Sequence, residues 1–484
     1  MTLPVLYVII IYICKNLPVI KATIYSEEYM TKSLINRLSA WFGTPSEDTA
    51  VAPALSDDGT VKFYGANKKI FNTFFAVMAI STFVALVLMI LYYGYAYAAL
   101  YNGSDDFDWL LGIFSDFVVI MDFSLVDSPY VVGDSSYPPI AIAILYPFAL
   151  ICKDIFAIYR YSELTADELT AEIIMYPQFW IAIVLFFVIC SFLIILLATR
   201  LFGITGLDRL KLGVIILVSA PFVYTIMRGN TIYFALIFLL AFLVFKDSKN
   251  PVLREIAYFC LAMSGAIKIY PLFFGVFLLK DKKIFASFRV AVYFFSIFAL
   301  SFFIFKNSFN DVTPFFNNLC GFMSDETRLL ATNNLSISAQ LYKLLHLFIP
   351  RLSAESPIFN VLSLAVMLIV FAVSTYTAIV TKSNLSRFAI CFAVVILIPS
   401  ISYFYVIIFA ILPFLEYIRV YNTLELSRRI FYFLAFMFLF ITPFVIAKDF
   451  TMHSFTIIAI LIVEVVSVIK ERVNARKQAI TNPV

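Results

Sequence analysis

Charge is what this sequence has least of. Only 14% of its 484 residues are Asp, Glu, Lys or Arg, against roughly 25% in an ordinary soluble protein. The shortfall falls on the groups that would face water. It excludes a soluble enzyme, a nucleic-acid-binding protein and a disordered scaffold. The balance of 35 basic against 31 acidic residues leaves a formal net charge of +4, too weak to argue for a polyanionic partner. Histidine is almost missing: His346 and His453 are the only two. The six cysteines (Cys14, Cys152, Cys190, Cys260, Cys320 and Cys391) show no CxxC spacing. Most sit in apolar runs and read as packing thiols, with no disulfide expected. No basic stretch precedes the apolar run at 3–20, so a cleaved signal peptide is not expected there. That run, interrupted by Lys15, reads as an extra helix or as the trace of an upstream translation start. No internal repeat is evident.

What the chain has instead is apolar length. Hydrophobic residues make up 62% of it and 54 residues are Phe; mean hydropathy is +0.95. Many runs approach the ~20 residues that cross a hydrocarbon core of roughly 30 Å. The fold class expected is therefore all-α, a polytopic integral membrane protein in the lipid bilayer. Lys and Arg concentrate in cytoplasmic loops of such proteins, and their positions give a topology. Spans are predicted at about 70–101, 178–199, 212–227, 231–245, 284–305, 358–381, 388–398, 404–417, 430–447 and 455–469. Residues 255–279 have basic residues at both ends and read as a hairpin of two short helices, broken at Lys268-Ile269-Tyr270-Pro271 because proline interrupts helices. The total is about twelve crossings (11–13 helices), with both termini cytoplasmic. Residues 138–152 are apolar but lead into an acidic loop, so they read as a re-entrant or juxtamembrane helix after the first outer loop. Three regions follow: a lead-in at 1–69, a membrane module at 70–420, and C-terminal helices with a basic tail at 421–484.

This topology gathers the uncommon polar motifs on the outer side. The first outer loop carries Asp105, Asp106, Asp108 and Asp116-Phe117, then Ser128-Pro129-Tyr130 and Tyr137-Pro138-Pro139. Later outer turns carry Arg228-Gly229-Asn230, Lys268 to Pro271, Asn334-Leu335-Ser336, and Ser400-Ile401-Ser402-Tyr403-Phe404-Tyr405. Each has a plain structural reading. Acids solvate a loop, Tyr-Pro-Pro turns the chain before a helix, and an arginine in a tight turn snorkels to head groups. Lys268 resists that reading, because an ionisable group inside an apolar stretch is costly.

The order of these motifs resembles glycosyltransferase family 87 of the GT-C superfamily, which includes polyprenyl-phosphate-mannose-dependent mannosyltransferases. The similar residues are Asp116-Phe117, Pro129-Tyr130, Tyr137-Pro138-Pro139-Ile140, Arg228-Gly229-Asn230 with Tyr233, Ala266 to Pro271 followed by Lys280–Lys283, Asn334-Leu335-Ser336, and Pro399 to Tyr405. They cover about residues 70–420. Asn230 stands where the family has Gln, and Tyr403 and Tyr405 stand where it has Trp and His. The resemblance implies a GT-C-type bundle that moves a sugar, mannose or another hexose or pentose, from a polyprenyl-phosphate carrier to a lipid or glycan hydroxyl. Transfer would occur with inversion, at the outer face of a bacterial inner membrane. It would need no cofactor, and no metal site is evident.

Such chemistry asks for a carboxylate to take the acceptor proton. Asp116 is the candidate, with Asp106 and Asp108 in reserve; those acids with Asp105 could also hold a hard cation. A cation must steady the phosphate leaving group, and Lys268 and Arg228 are the candidates. Tyr137, Asn230, Tyr270, Asn334, Ser402, Tyr403 and Tyr405 are candidates for sugar or acceptor contacts. A polysaccharide polymerase or ligase would be expected to carry an Arg-rich late outer loop, whereas this one holds only Arg328 and Arg351. A lipid-linked sugar flippase or transporter would place ionisable groups at mid-membrane and show related halves.

Overall fold

The computed structural model describes residues 66–91, 113–159, 164–331, 333–353, 356–441 and 451–481. The apolar run at 3–20, most of the expected lead-in, and Asp105, Asp106 and Asp108 lie outside them. In chain order the helices are α1 (Ala66–Leu91), α2 (Ser115–Leu125), the broken α3 (Pro139–Tyr159), α4 (Ala166–Ile173), α5 (Pro177–Phe202), α6 (Leu207–Val218), α7 (Ala220–Arg228), α8 (Ile232–Phe245), α9 (Pro251–Ile267) and α10 (Tyr270–Lys280). Then follow α11 (Ile284–Ile304), α12 (Val312–Ser324), α13 (Glu326–Leu330), α14 (Ile337–Phe348), α15 (Pro357–Val380), α16 (Asn384–Leu397), α17 (Phe404–Thr423), α18 (Leu426–Ile441) and α19 (Thr451–Thr481). Among the described residues the sole β-type pairing is an isolated antiparallel bridge between Asn334 and Tyr403.

Local sequence sets the helix ends. Pro177 opens α5 in the first turn, where a missing N–H costs nothing, and Gly203 closes it in the left-handed conformation (φ 65°). Between α6 and α7 the axis bends by 58°. Pro221 sits at the start of α7, lacks an N–H and disfavours helical backbone in the residue before it.

Among the described residues six helical segments are long and apolar enough to cross a membrane, or seven if the bent α6–α7 pair is one span. That is fewer than the twelve crossings expected. The shortfall has a physical pattern. α8 and α16 have only 14 residues each, about 21 Å of helix against a ~30 Å core. α10 is shorter still. The expected spans at 70–101 and 430–447 run on past the described residues.

The expected hairpin is present. The chain leaves helical conformation at Lys268 (φ −144°, ψ 122°), and α10 folds back along α9. A Cβ on Gly265 would lie 2.3 Å from the Leu272 side chain, so glycine permits this close return.

α3 is longer than the expected 138–152 and by length could span. Its contacts fold it along one end of the bundle instead. Its start packs on α2, α9 and α11. Its far end reaches Glu172 and Tyr176 through the Tyr159 hydroxyl at 3.0 and 3.2 Å. α4 in turn packs on α2, and Phe114 just before α2 meets Trp180 near the start of α5. Both ends of α3 thus lie at the same end of the bundle.

The core is centred on α16, buried from Leu385 to Leu397, with α15, α17 and α19 packed against it. At the end opposite α2, basic side chains converge. Lys246 and Lys283 both pair with Asp247. Arg200 lies over Phe245, and Arg387 over Phe277. Arg387 is fully buried, yet satisfied: it donates to the Ala378 carbonyl (3.0 Å), the Thr381 carbonyl (2.5 Å) and Asn384 Oδ1 (2.8 Å). A cation on the last carbonyls of α15 also matches the helix dipole.

Glu464 is the buried acid of α19. It accepts from Arg428 at 2.5 Å and from the Tyr432 hydroxyl at 2.6 Å, both on α18. These two bonds tie the last two helices together. Glu464→Ala should cost roughly 3 kcal/mol by leaving a desolvated arginine side chain without its acid. The check is a lowered thermal midpoint in detergent, with transfer per folded molecule unchanged.

Candidate active site

α7 ends against the start of α2. Gly229 closes α7 at φ 64°, its N–H returning to the carbonyls of Thr225 and Ile226. A Cβ there would sit 2.3 Å from Phe117 Cβ, so only glycine lets Arg-Gly-Asn touch Asp-Phe. Phe114, also left-handed (φ 65°), donates its N–H to the Met227 carbonyl at 2.5 Å. Two motifs more than a hundred residues apart are thereby locked together.

The lock delivers side chains to one carboxylate. Arg228 Nη2 donates to Asp116 Oδ1 at 2.6 Å, and Asn230 Nδ2 to Oδ2 at 2.7 Å. Asn230 is fully buried, and its Oδ1 accepts the Ile232 N–H at 3.0 Å, seating the start of α8. The Asp116 side chain is 11% exposed and that of Arg228 35%, so the pair is at the rim of the site and not sealed inside. A carboxylate offers about four lone-pair positions. Among the described residues, Arg228 and Asn230 take one position on each oxygen.

Lys268 arrives from the break after α9. Its Nζ stands 4.8 Å from the centre of the Tyr137 ring and 6.0 Å from that of Tyr405, within electrostatic reach of Asp116. Aromatic faces hold a cation without using up its N–H donors. An ammonium so placed is prepared for an anion.

Tyr137 is held from behind. Its carbonyl accepts from the Tyr130 hydroxyl at 3.1 Å, and its N–H donates to Ser135 Oγ. Tyr130 is buried among Phe302, Phe305 and Phe315. Ser128 donates to the buried Asp311 at 2.5 Å, and Asn318 to the Tyr130 carbonyl at 2.8 Å. Ser-Pro-Tyr is thus the support on which Tyr137 rests.

Asn334 is engaged in support, and Ser402 meets it through its backbone. The Asn334 amide makes four bonds: Nδ2 to the carbonyls of Arg328 (3.2 Å) and Ser400 (3.3 Å), Oδ1 from the N–H of Ser336 and of Ser402 (both 3.1 Å). That exhausts its two donors and two acceptor positions and leaves none for a sugar. Leu335 N–H donates to the Ser402 carbonyl at 2.6 Å, and Ser402 is buried. Both therefore position Tyr403, which stands across the bridge from Asn334. Tyr403 and Tyr405 have ring centres 6.0 Å apart and lie, like Tyr137, within electrostatic reach of Asp116. Tyr270 is set further back, packed edge-on against Phe409 but within reach of Tyr405.

One further side chain beside the site was not among the sequence candidates. Arg328 lies within electrostatic reach of Tyr403, pairs with Asp325 at 3.0 Å and stacks on Phe322 at 4.2 Å. In the sequence it is a lone arginine in a long loop, with no motif around it. Among the described residues no group of three or more His, Cys, Asp or Glu could hold a metal ion.

These features belong to a membrane-embedded enzyme class. More than half of the chain, residues 136–402, matches the family model of glycosyltransferase family 87. The protein is thus a GT-C-type membrane glycosyltransferase, and it belongs to family 87. No curated protein and no solved structure matches it. The match takes in Tyr137, Arg228, Asn230, Lys268, Asn334 and Ser402. Asp116 precedes it, so its place in the site rests on its bonds to Arg228 and Asn230.

Gly229→Ala should cost about 1–3 kcal/mol, because alanine is strained at φ 64°, with the Phe117 clash added. It should also lower transfer by displacing Arg228 and Asn230 from Asp116. Gly213→Ala is the control, since its Cβ would meet only the flexible tip of Ile195. Thermal midpoints and activity of the two variants check this.

Proposed function

We propose that the protein moves a sugar from a polyprenyl-phosphate carrier to an acceptor hydroxyl at the outer face of the membrane, inverting the anomeric carbon. The observation that carries this reading is one arrangement: a carboxylate, Asp116, beside two cations, Arg228 and Lys268, in a tyrosine-lined site. The acceptor oxygen attacks C1, and the bond from C1 to the phosphate oxygen breaks. The polyprenyl phosphate departs with the electron pair, and the hydroxyl proton passes to Asp116. Attack opposite to the leaving group gives inversion.

Charge develops on the departing phosphate, so a preorganised cation lowers the barrier most. Lys268, held by ring faces, takes that part, with Arg228 alongside. Tyr137, Tyr403 and Tyr405 offer faces and hydroxyls to the sugar. The clustering of basic side chains at the far end supports an outward-facing site with both termini cytoplasmic, because Lys and Arg mark the cytoplasmic side.

Membranes containing the protein, given radiolabelled polyprenyl-phosphate sugars, test the reading. Asp116→Asn should lose about 10²–10⁴-fold in rate, the usual contribution of a general base. Lys268→Ala should lower kcat/KM for the donor roughly 10²-fold, as when one charge-stabilising donor is removed. Undiminished transfer by Asp116→Asn would remove the base assignment. Full activity of Lys268→Ala would dismiss the phosphate clamp. Movement of donor across the membrane without transfer would make the protein a flippase.

A further inference from the structure

The segment that carries Arg328 is bonded to two walls of the site. The Arg328 carbonyl accepts from Asn334 Nδ2 at 3.2 Å, and Asn334 stands in the bridge with Tyr403. Next to it, Asn333 donates to the Tyr224 hydroxyl at 3.3 Å. Tyr224 lies on α7, one turn before Arg228, and within electrostatic reach of it. These bonds fix the place of Arg328 between the wall that presents Tyr403 and the wall that presents Arg228. Its guanidinium is within electrostatic reach of Tyr403 and Tyr137, the two tyrosines that also reach Asp116.

The side chain is held from one edge. Asp325 caps α13 with Oδ1, which accepts from the Thr327 N–H at 2.9 Å and its hydroxyl at 2.6 Å. The other oxygen, Oδ2, takes Arg328 Nε at 3.0 Å. The Phe322 ring lies 4.2 Å from the guanidinium carbon. Among the described residues no carboxylate or backbone carbonyl bonds the Nη groups. Arg387 and Arg429, which build the fold, direct Nη as well as Nε to such acceptors. The Arg328 side chain is 43% exposed, so a ligand can reach it. A planar fork with its Nη edge available matches the paired oxygens of a phosphate or carboxylate. Because Asp325 and Phe322 already order the side chain, less freedom is lost on binding.

We propose that Arg328 is a substrate-binding residue of this site and holds an oxyanion, a phosphate or carboxylate, of a bound substrate. This rests on the transferase reading above and deepens it. The oxyanion has two sources. In one, it is the donor phosphate, and Arg328 joins Lys268 and Arg228 in gripping it. In the other, it is an acidic group of the acceptor, held beside Tyr403 while Lys268 keeps the donor.

The full chain in phosphatidylcholine nanodiscs tests this with two probes, a fluorescent polyprenyl phosphate for the donor and dodecyl phosphate for an oxyanion alone. In the wild type, dodecyl phosphate should protect Arg328 from phenylglyoxal, an arginine reagent, as read by mass spectrometry of its peptide. The neutral dodecyl glucoside should not. Arg328→Gln should weaken binding of at least one probe by about ten- to a hundredfold, as for the loss of one charge-assisted bond, and Arg328→Lys should recover part of it. Weakened polyprenyl phosphate, with a loss that does not add to that of Lys268→Ala, assigns the oxyanion to the donor. Unchanged polyprenyl phosphate with one equivalent of dodecyl phosphate lost assigns it to the acceptor. Absent protection, equal protection by the glucoside, or unchanged binding of both probes by Arg328→Gln would overturn the proposal. Protection in the wild type decides it even if the variants do not fold. Neither probe needs turnover, so a wild type that transfers no sugar defeats the transferase reading alone. Transfer that depends on Asp116 without protection of Arg328 defeats this proposal alone.

Discussion

A helix that stops inside a membrane bundle leaves backbone N–H and C=O groups that lipid cannot satisfy. The whole architecture of this protein depends on how those ends are met. α8 begins, α9 ends and α16 ends at the same end of the bundle, and each is short for a membrane crossing. At two of these breaks a buried side-chain amide or its neighbours replace the missing helix bonds. Asn230 seats the start of α8, and Asn334 ties the loop after α16 to the approach to α14. The site exists because the helices stop early and asparagine makes stopping affordable.

The same groups serve chemistry by what they leave over. Asn230 meets a backbone N–H with its oxygen and Asp116 with its nitrogen. The bond that fixes α8 therefore also orients the carboxylate. Arg228 shares that carboxylate from the last turn of α7, where a cation suits the helix dipole. Lys268 marks the opposite case, a cation held by tyrosine faces. At the far end the arginines do purely structural work, with Arg387 and Arg429 donating to backbone carbonyls.

Much of this was legible beforehand. The break at Lys268 to Pro271 is visible because proline and lysine both oppose an apolar helix. The positions of α5, α11, α15 and α17 follow from unbroken apolar runs. Asp116, Arg228 and Lys268 could be picked out because charge is scarce in this chain. Asn334 was legible as part of a motif but not in its bonding. A sequence shows an amide without showing that four backbone groups already occupy it. Arg328 carried no signal at all, because its significance comes from Tyr403, seventy-five residues away.

The sequence by itself determined the class of molecule: a helical membrane protein, its polar motifs collected at one end and its basic residues at the other. Hydropathy and charge act residue by residue, so a linear reading captures them. Only the tertiary structure decided which polar residues meet. Asp116 joins Arg228 and Asn230 because Gly229 lacks the Cβ that would strike Phe117. The loop at 398–403 carries Tyr403 to its place because Asn334 bonds the Ser400 carbonyl and the Ser402 N–H. Such facts are distances between segments far apart in the chain, and no local pattern encodes them.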